Sequence, residues 1–276
     1  MSILLPDTNH GSGGSSGTRA ALIAAENPKA ANLGVAFGIF FRVPHYDALD
    51  APNSYERVLL ARNGGHTSGA DGYLRYRPEM RTIRGRWMRT SNVGIDTVET
   101  AALIEGQDYL VMLIAVESGA WVATCRVDGV GGVSLAACTG NLWSLAFTST
   151  QNGVVHFIGG GTSSNSRHWY NQPLEDAFMC VGEFPLVEGV PSAALIEALA
   201  TGTTDLDDLH SAMTSGARRF RYRLRNGDLT DSWGLASALT LANTDAPKGA
   251  HIYPSGPIAP GSPLVPDRTG HMLSQL

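Results

Sequence analysis

The feature that most constrains this chain is a succession of short, β-rich apolar runs separated by turn signals roughly every ten residues. GVAFGIFFRV at 34–43 and YLVMLIAVE at 109–117 are continuous apolar runs, typical of strands buried on both faces. AWVATCRV at 120–127 ends in Asp128-Gly129, a pair that favours a hairpin turn. No internal period relates the runs, which argues against a solenoid or a propeller. The series predicts an all-β domain built as a sandwich or barrel. Further strands are expected at 55–62, 72–77, 82–89, 94–100, 133–138, 142–149, 154–161 and 177–184.

The two ends of the chain differ in composition from the strand-rich part. Residues 9–18, NHGSGGSSGT, are small and polar, so we expect 1–32 to be a flexible N-terminal arm and linker. The sandwich would occupy 33–245, and 246–276 would be an extended tail rich in proline and glycine. The N-terminus lacks the basic region of a signal peptide, and no apolar run is long enough to span a membrane. We therefore expect a soluble protein made in the cytoplasm, without membrane contact.

One segment in the C-terminal part predicts a helix. In VPSAALIEALATG, Ser192 can cap the N-terminus and Gly202 can take the left-handed conformation after the C-terminus. Leu195, Ile196 and Leu199 then share one face, which should pack on the sandwich. TDLDDLHSAM, at 204–213, predicts a second short helix, with Thr204 or Asp205 as its cap.

Two segments hold 11 of the 18 arginines, 75–89 and 218–225. In the second segment Phe220, Tyr222 and Leu224 alternate with arginines, which predicts a strand with one apolar and one basic face. The arginines would then point at solvent or at carboxylates. A nucleic-acid surface would need both segments side by side with outward aromatic rings, so we expect no nucleic-acid partner. Contact with a partner protein stays open.

The ordered set of elements resembles the concanavalin A-like (laminin G-like) jelly-roll superfamily. The resemblance rests on the strand YLVMLIAVE, the following strand that ends in VDG, the glycine-rich strand VVHFIGGG, and AFMCVGEFP leading directly into the helix. The closing segment RFRYRLRNGDLTDSWGLASALTLAN is similar to that of bacteriophage members, through Leu224, Gly227, Asp231 and Gly234. The resemblance implies a concanavalin A-like jelly-roll β-sandwich, with one or two short helices near the C-terminal part, that binds glycans or serves as a structural module.

Catalytic patterns are largely missing from the sequence. Glucanases of this fold carry Glu-x-Asp-x-x-Glu, whereas this chain has GIDTVE, with glycine at the nucleophile position before Asp96 and Glu99. The histidines lack metal-ligand spacing, and the three cysteines fit small buried hydrophobes. We therefore expect no enzyme activity and no cofactor. Calcium stays an open alternative, with these candidate ligands: Asp71, Asp96, Asp128 and Asp176.

Glycan binding needs an exposed aromatic ring and planar polar groups. The run SSNSRHWYNQ offers both within a segment whose polar flanks predict a loop. Trp87, between arginines, is a second candidate; the alternative is that these rings cover an edge of the sandwich. The carbohydrate-binding candidates are Arg167, His168, Trp169, Tyr170, Asn171 and Trp87.

Together these features predict a structural virion protein of a tailed phage or phage-like particle, such as a fibre, spike or decoration component. Its arm and tail would contact other virion proteins, and its sandwich would contact carbohydrate on the host surface. We expect a homo-oligomer located in the virion. The alternatives are a glycoside hydrolase or a lectin on the same fold.

Overall fold

The chain is built mainly from strands in antiparallel sheets, with two short α-helices among the residues that the structure describes. The prediction of an all-β sandwich with short helices towards its C-terminal part is confirmed. The strand expected at 142–149 lies outside the described residues. The computed structural model describes residues 2–4, 22–25, 34–45, 57–63, 72–87, 98–116, 118–138, 155–158, 174–224, 228–241 and 251–253.

One sheet, called the large sheet below, is centred on the most apolar runs of the sequence. Its strands are β1 (Ser2–Leu4), β3 (Val35–Arg42), β8 (Asp108–Val116), β9 (Gly119–Arg126), β10 (Val133–Ala137), β12 (Leu174–Glu183), β15 (Thr214–Tyr222) and β17 (His251–Tyr253). Across the sheet the order is β10-β9-β8-β3-β12, with β15 and the pair β1-β17 both on the far side of β12. All of these pairs are antiparallel, as hairpin-rich sequences favour.

The second sheet, called the small sheet below, carries the first of the two arginine segments. Its strands are β2 (Leu22–Ala25), β4 (Arg57–Asn63), β5 (Gly72–Arg77), β6 (Thr82–Trp87), β7 (Val98–Glu99), β11 (Val155–Ile158) and β16 (Thr240–Leu241). They run in the order β16-β2-β11-β4-β5-β6-β7. β5 and β6 form a hairpin in continuous register from Gly72 opposite Trp87 to Arg77 opposite Thr82. A separate short hairpin joins β13 (Leu186–Val187) to β14 (Val190–Pro191).

The core between the sheets follows from the period of two along each strand. Phe37, Ile39 and Phe41 of β3 point into a cluster shared by both sheets, whereas Ala36 and Phe40 belong to a different cluster on the opposite face. Each residue of β3 and of β8 is buried, as the continuous apolar runs predicted. The large sheet is therefore covered on both faces.

The outer cover of the large sheet is helical. It consists of α1 (Ala193–Ala200), a 3₁₀ turn (Leu206–Asp208) and α2 (Leu209–Ala212). Ile196 and Leu199 are buried against this sheet, and Leu195 packs at the margin, so the predicted face of the helix is confirmed. Ser192 accepts a hydrogen bond from the backbone N–H of Leu195 at 3.4 Å, which confirms the predicted cap.

Close contact between the sheets explains one glycine. Gly85 of β6 lies on the inward face, and a Cβ at this position would overlap Cγ2 of Val122 on β9. A side chain here would have to push the two sheets apart or displace the valine. The glycine thus sets how closely the small sheet packs on the large one.

Three short strands come from the segments that the sequence analysis placed outside the sandwich. β1 pairs with β12 and β17, and β2 pairs with β11 and β16. The remaining residues of 1–32 and 246–276 lie outside the described residues. The boundaries at 33 and 245 stay a prediction.

The two arginine segments occupy opposite outer faces of the sandwich. On β15, Phe220 and Tyr222 belong to the intersheet core, so the alternating arginines project from the helix-covered side of the large sheet. On β5 and β6, Leu74 and Ile83 belong to the same core, so the arginines there project from the outer face of the small sheet. The arginines that the structure describes in the two segments therefore do not combine into one surface.

The cysteines fit the prediction of small buried hydrophobes. Cys125 and Cys180 are buried, Cys138 is half-buried, and all three are free thiols. Burial raises the pKa of Cys125 to about 11, and the pKa of both Cys138 and Cys180 to about 12. The thiols are therefore protonated and unreactive at neutral pH.

Candidate functional site

The predicted carbohydrate-binding residues fall in two different parts of the chain. Trp87 is the last residue of β6 and pairs with Gly72 of β5. The segment from Arg167 to Asn171 lies outside the described residues, so that half of the predicted site stays a prediction. The described surface considered for glycan contact is the outer face of β5 and β6 in the same sheet.

This surface, called the arginine face below, is formed by the outward side chains of β5 and β6. It consists of Tyr73, Arg75, Arg77, Thr82, Arg84 and Arg86. Register places Arg75 directly opposite Arg84, and Tyr73 directly opposite Arg86. Arg84 is in turn opposite Glu99 of β7. Side chains directly opposite each other on one face have Cβ atoms only about 5 Å apart, so four guanidinium groups are concentrated on two neighbouring strands.

The arginines lie along the sheet and do not extend straight into solvent. The guanidinium carbon of Arg75 is 3.9 Å from the centroid of the Tyr73 ring, in a cation–π contact. Tyr73 is only 4% exposed. Arg77 forms an ion pair with Glu99, and each of these side chains is about 30% exposed or less. The face is therefore basic, half-buried and nearly flat.

Acidic residues considered for catalysis or calcium binding are paired with arginine wherever the structure describes them. Glu99 pairs with Arg77, and Asp128 pairs with its strand neighbour Arg126. Asp176 pairs with Arg221. Asp71 and Asp96 lie outside the described residues, which hold no group of three metal-ligating side chains.

Arg221 is the centre of an ion-pair cluster on the helix-covered side of the large sheet. Its Nε donates to Oδ1 of Asp176 at 3.1 Å, and its Nη1 lies 2.7 Å from Oδ1 of Asp205 and 2.8 Å from Oδ1 of Asp207. Arg223 adds a contact to Asp207 at 3.2 Å. The cluster joins β15 to β12 and to the 3₁₀ turn.

Two carboxyl groups of this cluster, those of Asp205 and Asp207, have lowered pKa values. The pKa of Asp205 is lowered, first by the hydrogen bond from the backbone N–H of Asp207 and then by Arg221. For Asp207, burial acts to raise the pKa, but hydrogen bonds from Trp233 and Arg221 outweigh it and the pKa falls. The pKa of Arg221 is raised: burial opposes its charge, but the charge of Asp176 and the hydrogen bonds to Asp176, Asp207 and Asp205 together outweigh burial.

A second set of contacts surrounds Asp207. The Trp233 indole N–H donates to its carboxylate, and Arg218 donates to its backbone carbonyl at 2.7 Å. The Arg218 guanidinium carbon also lies 5.5 Å from the centroid of the Trp233 ring. Sequence reasoning assigned Asp205 only a capping role and gave Asp207 and Trp233 none. The one available signal was the period of two in Arg221 and Arg223, which pointed these side chains at solvent or at carboxylates of unknown position.

Asp231, the aspartate of the closing segment, is a backbone-binding residue. Its carboxylate accepts hydrogen bonds from the backbone N–H groups of Arg221, Trp233, Leu235 and Ala236, at 2.7, 3.2, 2.6 and 2.8 Å. Four donors around one carboxylate fix the turn at 231–236 against β15. The role of this aspartate is thus to hold the closing segment on the sandwich.

Comparison of the sequence with known proteins gives no match to a family model or to a curated protein. The fold is similar to a heptameric SAP-like pentraxin from Limulus polyphemus, with a TM-score of 0.45 and 9% identity over 72% of this chain and 80% of the pentraxin. It is also similar to tailspike protein 2 of an Escherichia coli O157:H7 bacteriophage, with a TM-score of 0.43 and 12% identity over 64% of this chain. Trypanosoma rangeli sialidase gives a TM-score of 0.40 and 12% identity over 62% of this chain.

The chain spans 23% of the length of the tailspike and of the sialidase. Within the described residues, no helix is both long and apolar enough to cross a membrane.

Proposed function

We propose that this chain is a structural, non-catalytic component of a tailed phage or phage-like particle, built on a concanavalin A-like sandwich that contacts carbohydrate. One observation carries the proposal. The described acidic residues that were considered for chemistry, Glu99, Asp128 and Asp176, are each engaged by an arginine.

Such engagement supports a scaffold role. A catalytic carboxyl must be available to contact the substrate, whereas each of these carboxylates is held in an ion pair with an arginine. Asp176 is also almost wholly buried with its partner. These carboxylates are better suited to holding strands together than to proton transfer.

The surfaces of the sandwich support contact with other molecules. The arginine face offers planar donor groups, and arginine is favoured over lysine at interfaces that recognise oxygen-rich groups. The arm at 1–32 and the tail at 246–276 are the segments that we propose for contacts with other particle proteins and for homo-oligomer formation. The resemblance of the closing segment to bacteriophage members, through Asp231 and Gly234, supports a phage origin.

The proposal is tested by locating the chain in particles. Particles purified from the source are analysed by mass spectrometry, and antibody against the chain is visualised by electron microscopy. We expect the chain in repeated copies at fixed positions. Recovery only from the particle-free fraction, together with glycan binding, would favour a lectin. Turnover of a β-glucan panel that is lost in Asp96→Asn would favour a glycoside hydrolase.

A further inference from the structure

The hairpin of β13 and β14 carries an exposed apolar surface. Val187 and Val190 are directly opposite each other, so their side chains share one face, and they are 58% and 44% exposed. This pair is called the hairpin face below. The hairpin belongs to neither of the two main sheets, and a two-stranded hairpin by itself is only marginally stable. A segment that covers the hairpin face would therefore stabilise it.

Acidic side chains accompany the hairpin face. Glu183 ends β12, Glu188 lies in the turn of the hairpin, and both are exposed. Neither forms an ion pair with a residue that the structure describes. The sequence between 168 and 217 contains no lysine or arginine. The covering segment should therefore be apolar with a cation beside it, whereas the same face of a second copy would bring like charges together.

The tail at 246–276 contains a segment of this kind. From Pro254 to Pro266 a proline occupies every third position, in PSGPIAPGSPLVP. A polyproline II helix has three residues per turn, so this spacing predicts such a helix with the prolines along one side. Val265 and Arg268 are also three residues apart, so a second side of the helix would present an apolar group next to a cation.

Strand pairing directs the tail towards the hairpin. β17 is antiparallel to β1, and β1 is antiparallel to β12, so β17 runs parallel to β12. Ile252 of β17 pairs with Ile3, which pairs with Leu174 at the start of β12. The hairpin follows the other end of β12. The chain beyond Tyr253 therefore leaves β17 in the direction of the hairpin.

The length of the tail fits this path. The 10 residues of β12 extend over about 30 Å. A polyproline II helix rises about 3.1 Å per residue, so about ten residues beyond Tyr253 cover the same length. Residues 263–268 would thus come level with the hairpin.

We propose that the tail packs along its own sandwich as a polyproline II helix and covers the hairpin face. Val265 then lies on Val187 and Val190. Arg268 lies beside Glu188. The inference does not rest on the proposed function, because the remaining sides of such a helix stay open to other particle proteins.

Disulfide trapping in the full chain tests this contact. In Val187→Cys/Val265→Cys, oxidised glutathione converts the two new thiols to a disulfide and is itself reduced to glutathione. The three native cysteines are protonated at neutral pH, so they react slowly. A non-reducing gel and the mass of the linked peptides show whether the disulfide lies within one chain.

The matched control is Val130→Cys/Val265→Cys. Val130 has the same exposed fraction as Val187, 58%, but lies in the turn after β9. The paired positions across the large sheet place that end of β9 level with the start of β12, on the opposite side of the sheet from β17. We expect the Val187 pair to form its disulfide at least about tenfold faster, because the two sulfur atoms must meet.

Further substitutions in the trapping pair test the conformation and the charge of the tail. Pro260→Gly/Pro263→Gly makes the tail flexible and should slow trapping by about threefold to tenfold. Ser255→Gly/Ser262→Gly adds the same two glycines but keeps each proline, and should slow it less. Arg268→Gln should slow trapping by about twofold to fivefold at low salt and have little effect at high salt. Circular dichroism confirms that each variant folds.

Other outcomes would overturn the inference. Equal trapping rates in the Val187 and Val130 pairs, or no disulfide in either, would show that the tail is not held at the hairpin. A disulfide between two chains, also formed when Val187→Cys and Val265→Cys chains are mixed, would assign the hairpin face to the tail of a second copy. Equal rates in the proline and serine variants would contradict the polyproline II helix. The location of the chain in particles is measured separately, so failure of the proposed function leaves this result unaffected.

Discussion

The guanidinium of Arg221 lies 3.1 Å from the carboxylate of Asp176, and both side chains are more than nine-tenths buried. Asp176 has a φ of +46°, at an irregularity in the pairing of β12 with β3. Aspartate and asparagine tolerate this left-handed conformation better than other residues with a side chain. The irregularity thus sets the backbone from which the acid reaches β15, and the ion pair fastens the two strands together.

Removing one charge of this pair should strongly destabilise the fold. We expect Asp176→Asn to lower the free energy of unfolding by about 3–5 kcal/mol, because the buried guanidinium loses its most deeply buried charged partner. Asparagine keeps the size of the side chain and tolerates the positive φ, so the loss of stability reflects removal of the charge. Urea denaturation measures the free energy of unfolding of both proteins.

The matched control for this substitution is Asp205→Asn. Asp205 also contacts Arg221, but its side chain is 57% exposed, and asparagine still caps the 3₁₀ turn. The expected loss is below about 1 kcal/mol. Similar losses in the two variants would show that burial does not set the strength of these contacts.

How far the sequence predicted this region depends on whether a contact is local. The period of two placed Phe220 and Tyr222 in the core and turned Arg221 away from it, because side-chain direction in a strand is a local property. The partners of Arg221 could not be predicted, since Asp176 is 45 residues away and is positioned by an irregularity without a distinct sequence signal. The same holds for the arginine face. The alternation of arginines with other residues in RYRPEMRTIRGRW can be recognised in the sequence. The cross-strand pairing of Arg75 with Arg84, however, depends on the register of the hairpin.

Asp231 provides a second stability prediction. Asp231→Ala leaves the backbone N–H groups of Arg221, Trp233, Leu235 and Ala236 without their shared acceptor. We expect the free energy of unfolding to fall by about 3 kcal/mol, because one buried donor and three half-buried donors lose a charged acceptor.

Asp228→Ala is the comparison for this substitution. Asp228 accepts hydrogen bonds only from Thr230 among the described residues, and it is exposed. Its loss should cost less than about 1 kcal/mol. Thermal denaturation followed by circular dichroism distinguishes the two variants. A small effect at Asp231 would mean that water replaces the carboxylate and that the closing segment is held by other contacts.

Acid should weaken the Arg221 cluster. The pKa values of Asp205 and Asp207 are lowered in the folded protein, so near the unfolded value of about 3.9 the unfolded chain binds more protons. The stabilisation is therefore complete above that pH and is lost as pH falls through the lower folded values. Burial raises the pKa of Asp108 despite its pairing with Arg42. The contribution of Asp108 to stability therefore changes with pH in the opposite direction.

The measurement compares wild type with Asp205→Asn/Asp207→Asn by urea denaturation between about pH 3 and about pH 7. We expect the wild type to be more stable at neutral pH and the difference to shrink as the solution is acidified. Asp108 is common to both proteins, so its contribution cancels in the difference. A difference that is constant over this range would show that neither carboxylate has a lowered pKa in the folded state.

The contact of Gly85 with Val122 predicts coupling between the two sheets. Gly85→Ala places a methyl group where Cγ2 of Val122 lies, and we expect a loss of about 1–3 kcal/mol from overpacking. Val122→Ala removes two buried methyl groups and should also cost about 1–3 kcal/mol.

In the double variant the new methyl occupies part of the space that the valine vacates. The double loss should therefore be smaller than the sum of the single losses by about 1 kcal/mol or more, as a double-mutant cycle in urea measures. Additive losses would show that the sheets shift apart at this point without involving Val122, and that Gly85 does not determine their spacing.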